Sequence, residues 1–343
     1  MLIDLSFIFF YSFSSLFIMR KIARRVGLVD TPNHRKTHEG VIPIAGGISL
    51  CIILANVLYT RPDLVEHDQL LLACIVVLAI IGTLDDFFDL SALVRLALQI
   101  VLSVVFIYAS GLKIHLLGNL FGFGEVSLDW LSYAVTVLAI LAAINAFNMV
   151  DGLDGLLGCL SIVTFASLSF LLDFNGHPGL SYLCLILVVT ILPYICMNLG
   201  FLGRKRKVFM GDAGSMMIGF VAVWLLISAS QVENTSRINP VTVLWLVALP
   251  LMDMTATVIV RLRQKVSPFK SDNQHIHFIL QGAGLSAGTT LVIISSLAIV
   301  FASIGVASEL MNVADHIMFY TFLGCFALYY KIRLIIQHRY PAI

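Results

Sequence analysis

Charge is what this chain has least of. Asp, Glu, Lys and Arg make up 12% of its 343 residues, against 59% hydrophobic, whereas soluble domains carry about 25% charged residues. That scarcity excludes a soluble globular protein and leaves a polytopic membrane protein. Cysteine is sparse too: positions 51, 74, 159, 184, 196 and 325 all fall in apolar stretches, with neither disulfide nor metal-ligand spacing. There is no internal repeat, no low-complexity tract and no dividing linker, so residues 1–343 read as a single integral membrane domain. Nothing points to a nucleic-acid partner. The first apolar run lacks a basic segment ahead of it and ends in Arg20-Lys21 rather than a small-residue cleavage site. It is therefore expected to stay as a span.

Runs of about 20 apolar residues fall near 4–20, 43–60, 69–84, 92–110, 130–147, 155–172, 179–197, 213–230, 240–260, 288–308 and 314–335. The expected fold is all-α, with about eleven transmembrane helices. With that count, all the lysines and arginines except Arg61, Lys113 and Arg237 collect on one side. The positive-inside rule then puts the N-terminus on the periplasmic side and the C-terminus in the cytoplasm.

The few acids that remain are concentrated where the hydropathy should exclude them. Asp85-Asp86 end the third run, with Asp89 expected on the same helical face. Polar side chains at Asn145, Asn148, Asp151 and Asp154 surround Gly152 and Gly155, so either only neighbouring members converge or the helix breaks at Gly152 or Gly155, where a break is tolerated against an aqueous cavity. Phe209-Met210-Gly211-Asp212-Ala213-Gly214-Ser215 follows a basic loop. Its glycines would let backbone amides approach a phosphate at a helix N-terminus, although Asp212 could equally be an N-cap. Arg95 would either neutralise Asp89 or suit a phosphate. Asp and Asn oxygens without nearby thiolates fit Mg²⁺ or Mn²⁺ better than zinc. His275 and His277, in SPFKSDNQHIH, read as a hydrogen-bonding patch for a polar substrate. Asp253, inside the ninth span, reads as a buried acid paired with a neighbouring helix. All these motifs fall on the cytoplasmic side.

From VDTPNHRKTHEGVIPIAGG through DDFFD, NAFNMVDGLDGL, VFMGDAGS and PLMDM to SPFKSDNQHIH, the chain resembles the polyprenyl-phosphate N-acetylhexosamine-1-phosphate transferases. The resemblance implies transfer of N-acetylglucosamine 1-phosphate from UDP-N-acetylglucosamine to undecaprenyl phosphate, with release of UMP. It implies Mg²⁺, with Mn²⁺ as the substitute, a bacterial inner membrane and a cytoplasmic active site. Asp85 and Asp86 then match the family's aspartate pair, Asn148 and Asp212 match metal ligands, Arg95 falls where relatives place a basic residue, and His275 and His277 match the histidine motif. Asp151 and Asp154 are further catalytic candidates beside the pair, and Arg95, Lys36, His38, Gly211, His275 and His277 are the substrate-binding candidates. Relatives often continue the last motif as H-x-H-H, where this chain has Phe278. The oligomeric state stays open between monomer and homodimer.

The chemistry suits these parts. Two anions must meet, and a phosphate monoester is largely ionised at cytoplasmic pH, so charge repulsion outweighs the need for a base. Asn148 and Asp212 would hold the metal on the diphosphate, Asp85 or Asp86 would take a residual proton or orient the lipid phosphate, and Asp151 and Asp154 would support metal and nucleotide. Rival readings are a relative using another UDP-sugar, such as UDP-N-acetylmuramoyl-pentapeptide, and a cation- or proton-coupled transporter.

Overall fold

The computed structural model describes residues 1–31, 40–62, 64–231, 237–269 and 272–340. Among them are α1 (Leu2–Val26), α2 (Gly46–Thr60), α3 (Asp68–Phe88), α4 (Ala92–Ser110), α5 (Ser132–Met149), α6 (Leu156–Phe174) and α7 (Pro178–Asn198). After them come α8 (Gly211–Ser230), α9 (Pro240–Leu246), α10 (Ala248–Arg263), α11 (Ile276–Gly282), α12 (Ala287–Leu310) and α13 (Asp315–Arg339). Every expected span coincides with a helix or a helix pair. Nine helices of the described residues are long and apolar enough to cross a membrane, and the bent pair α9–α10 brings the number to ten. The fifteen residues of α2 rise only about 22 Å, short of a hydrocarbon core of about 30 Å.

The expected single span at 240–260 is instead two helices meeting at 81°. Pro250 supplies the reason. It has no N–H for the carbonyl of Leu246, and its ring would collide with that carbonyl in a continuous helix. The freed Leu246 oxygen accepts from Thr164 Oγ1 of α6 at 3.0 Å. A hydroxyl from a neighbouring helix thus replaces the lost backbone donor, as a buried break requires.

Helix α8 is the hub: 94% of its spanning window is buried, against 22% for α1 and 17% for α13. It packs on α3, α5 and α2, and small residues set the spacing. A Cβ on Gly82 of α3 would come within 2.3 Å of the Ala213 backbone, and one on Gly219 of α8 within 2.6 Å of the Ala143 carbonyl of α5. The three backbones are therefore in direct contact, and the start of α8 is wedged between the ends of α3 and α5. A short antiparallel pair, β1 (Val29–Asp30) with β2 (Ile42–Pro43), closes against the same place through a bridge from Ile44 to Phe209.

Between α5, α8 and the α9–α10 bend lies a cavity of about 400 Å³ with apolar walls, including Ala143, Phe147, Val223, Leu244 and Val247. Phe147 immediately precedes Asn148.

Candidate active site

The end of α3, the starts of α4 and α8 and the end of α5 bring Asp85, Asp86, Arg95, Asn148 and Asp212 together. Asp85 is 3% exposed and fully engaged. Its Oδ1 accepts from the Leu90 amide at 2.8 Å, and its Oδ2 accepts from Arg95 Nη1 at 2.7 Å. Arg95 Nη1 also lies 3.7 Å from Asp212 Oδ2. It therefore bridges two carboxylates and does not serve Asp89. Nor does Asp89 share a helical face with the pair: α3 ends at Phe88, and Asp89 turns into the left-handed region at φ 50°. The Asp85 contact with the next amide draws the chain out of the helix there.

The second member of the pair behaves differently. Asp86 Oδ1 accepts from the Asp212 amide at 3.1 Å, so the first turn of α8 is anchored by a carboxylate from α3. Asp86 Oδ2 is buried with no hydrogen-bond partner. Gly211 makes this approach possible. Its φ is +75°, and any Cβ would come within 2.5 Å of Asp86 Oδ2 and 2.3 Å of Ile44, so the position excludes a side chain on both counts. Asp212 does not cap its own helix. Its Oδ1 accepts from Asn148 Nδ2 at 2.6 Å, and that amide also donates to Ser215 Oγ at 2.9 Å.

Two carboxylates, Asp85 and Asp212, thus share one guanidinium, a third, Asp86, adjoins them through the Asp212 amide, and its buried Oδ2 is unmatched among the described residues. A hard divalent cation fits this donor set. Asp86 and Asp212 offer carboxylate oxygens, and Asn148 offers its carbonyl oxygen after a half-turn of the amide. Among the described residues no three His, Cys, Asp or Glu side chains form a ready-made cage. Sparse protein ligation is what Mg²⁺ tolerates when phosphates supply the other oxygens.

A second polar group adjoins the first through the turn after α5. That turn covers residues 150–155, with Gly155 at φ +78°, so of the two expected arrangements the break is the one present. Asp154 pairs with Lys207, whose ammonium also lies 5.3 Å from the Phe209 ring centroid. Asp151 lies in the same turn. His277, at the start of α11, is fully buried, and a Cβ on Gly152 would sit 2.3 Å from its Nε2. Both its ring nitrogens lack a partner among the described residues. Burial pushes the imidazole down to about 4, with Asp253 acting the other way and His275 adding to the fall, so the ring is neutral near pH 7. It stacks on His275 at 6.0 Å and against Phe278 at 4.2 Å.

His275 presents Nδ1 to Asp253 Oδ2 at 2.8 Å, and Asp253 Oδ1 accepts from the Ile276 amide at 3.0 Å and from Tyr329 of α13 at 2.9 Å. Asp253 is indeed a buried acid paired across helices. Lys36 and His38 lie outside the described residues. Sequence reasoning missed Ser215, Tyr329 and Arg333, since nothing separates a hydroxyl or a terminal arginine from ordinary span residues until a partner is seen.

Fold and site define a helical membrane protein with an oxygen-lined ionic centre at one end of its bundle. The glycosyl transferase family 4 model matches residues 69–230. The chain is 45% identical to an undecaprenyl-phosphate alpha-N-acetylglucosaminyl 1-phosphate transferase of Yersinia pestis, over 95% of this chain and 89% of that one. It is 46% identical to the protein of that name from Escherichia coli K12 with the same coverage. Against the Pasteurella multocida protein it is 42% identical, over 96% and 92% of the two chains. The chain belongs to glycosyl transferase family 4 and, within it, to the enzymes that transfer sugar 1-phosphates.

Proposed function

We propose that the protein transfers N-acetylglucosamine 1-phosphate from UDP-N-acetylglucosamine to undecaprenyl phosphate, producing the lipid-linked diphosphosugar and UMP. This is the first membrane step of O-antigen or enterobacterial common antigen-type glycan synthesis. The observation that carries the reading is the open carboxylate group at Asp86, Asp212 and Asn148 beside Arg95, in a chain so similar to transferases of that name.

In the reaction, a phosphate oxygen of the lipid bonds to the phosphorus that carries the sugar. The bond from that phosphorus to the bridging oxygen breaks, and UMP leaves with the electron pair. Asp86, Asp212 and the Asn148 carbonyl would hold Mg²⁺ or Mn²⁺, which when bound offsets the charge of the diphosphate. Asp85 has no spare oxygen, so it orients Arg95, and the remaining guanidinium N–H groups face the phosphates. Because the acceptor is already ionised, Asp86 serves better as ligand than as base. Lys207, steadied by Asp154, brings a second cation to the nucleotide side, with His275, His277 and the Gly211 turn around it. Lys36 and His38 are proposed as substrate-binding residues on the family resemblance alone. The apolar cavity between α5, α8 and the α9–α10 bend, which Phe147 lines, is the proposed seat for part of the polyprenyl tail.

The basic rim made by Arg20, Arg24 and Lys205, where Arg20 donates to the Lys205 carbonyl, lies at the end of the bundle that holds the site. By the positive-inside rule that end faces the cytoplasm of a bacterial inner membrane. α2 would then be the eleventh crossing, with a periplasmic N-terminus and a cytoplasmic C-terminus.

The decisive experiment is UMP release by purified protein given undecaprenyl phosphate, Mg²⁺ and a panel of UDP-sugars. Release with UDP-N-acetylglucosamine alone is expected. Preference for another UDP-sugar moves the chain to a different donor within the family, and release with none refutes the reading.

A further inference from the structure

Helix α13 lies outside the residues matched by the family model and bears none of the motifs. Two of its buried polar residues bear on one segment, Arg333 directly and Tyr329 through Asp253. Arg333 is 0% exposed, as is Asp253, and Tyr329 is 8% exposed. Two residues before Arg333, Lys331 reaches solvent, so an exposed course for a long cationic side chain is open at this level of the helix. Arg333 turns inward instead. It donates through Nη2 to the Gln274 carbonyl, and its Nε and Nη1 have no partner among the described residues. A buried guanidinium so poorly matched is costly, which argues against a purely space-filling role.

The segment it grips is pinned at Asp272, Gln274, His275 and Ile276. Asp272 is held by Arg261 of α10 at 2.8 and 3.2 Å, and Gln274 by Arg333. His275 and the Ile276 amide are held by Asp253, whose carboxylate is in turn fixed by the Tyr329 hydroxyl. The ring nitrogens of His277, the next residue, have no partner among the described residues, and the ring faces Gly152 in the turn between Asn148 and Asp154. A carboxylate on Nδ1 fixes an imidazole's tautomer and ring plane. The phenol and the guanidinium therefore act at one remove, setting where the two histidines stand.

We propose that Tyr329 and Arg333 are positioning residues for donor recognition: α13 holds residues 272–277 so that His275 and His277 meet the nucleotide-sugar. The inference rests on the transferase reading above. Tyr329→Phe removes one hydroxyl and keeps the ring, and Arg333→Met removes the charge and keeps the bulk. Each is expected to raise the KM for UDP-N-acetylglucosamine about tenfold, the scale of one lost buried hydrogen bond, with the KM for undecaprenyl phosphate unchanged. Arg333→Lys should recover part of the loss, because a lysine can still donate to the Gln274 carbonyl. Amide hydrogen exchange of the full-length protein should accelerate at 272–277 in both variants and not in α8. Donor and acceptor KM moving together, or exchange unchanged at 272–277, overturns the inference. Should Arg333→Met fail to fold, Tyr329→Phe still decides between the two results. If wild-type protein releases no UMP, the transferase reading falls and this inference with it. Normal wild-type turnover with an unmoved donor KM in Tyr329→Phe overturns the inference alone.

Discussion

Two acids, half-buried Asp86 and fully buried Asp253, sit in neighbouring parts of one polar region and are treated in opposite ways. Asp253 takes three donors, from His275, Ile276 and Tyr329, and has nothing left to give. Asp86 takes the Asp212 amide on one oxygen and leaves the other unmatched, with Asp85 and Asp212 close by and one arginine among them. The two carboxylates differ in their hydrogen bonding, a difference that the residue type alone does not reveal.

Replacing Asp212 with Asn should break the open side outright. Turnover is expected to fall by about 10³-fold, because several kcal/mol of charge stabilisation depend on the cation it would hold. Thermal unfolding in detergent should change little. Added Mg²⁺ should raise the melting temperature of the wild type and of Asp253→Asn, and should fail to do so in Asp212→Asn. A magnesium shift in all three, or in none, erases the distinction between the two acids.

Next in size is Asp85→Asn. It leaves Arg95 beside Asp212 without its main partner, so rates should fall by about 10²-fold. Stability should drop by about 1–3 kcal/mol as a buried charge contact is lost. Loss of activity with no loss of stability would mean that Asp85 meets substrate itself.

The closed side answers to pH. An unfolded His277 takes up a proton below about 6.5, while the buried ring holds out until about 4. Between those values the unfolded state binds more protons, so stability is fully present above pH 6.5 and falls as pH drops towards 4. The whole difference is about 3 kcal/mol. His277→Phe should flatten that part of the melting curve, measured as the difference from wild type at each pH. The smallest effect is expected from Gly152→Ala, whose methyl would displace the His277 ring. Its donor KM should rise about threefold, on the scale of a modest packing change of about 1 kcal/mol.

How far the sequence could be read follows from what each feature depends on. Spans were legible because hydropathy is a local property, and the acids stood out because apolar runs leave them nowhere ordinary to be. The α9–α10 corner was also within reach: Pro250 sits inside a run long enough to be one span, and only the partner hydroxyl of Thr164 was invisible. The split between Asp85 and Asp86 was not legible. Neighbours on a helix point about 100° apart, and which one meets α8 is settled by where α8 packs. Asp89 looked like a third member of that face until the helix stopped one residue short of it. Tyr329 and Arg333 carried no signal, since an aromatic and a terminal arginine are ordinary at the end of a membrane helix.

The wedge of α8 between α3 and α5 has a mechanical consequence. With no room for a methyl at Gly82 or Gly219, the distance from Asp86 to Asp212 is set by backbone resting on backbone. Peripheral α13, mostly uncovered, touches Asp253 and Gln274 through side chains rather than backbone. A change of lipid chain length is therefore expected to reach the histidines before the carboxylates.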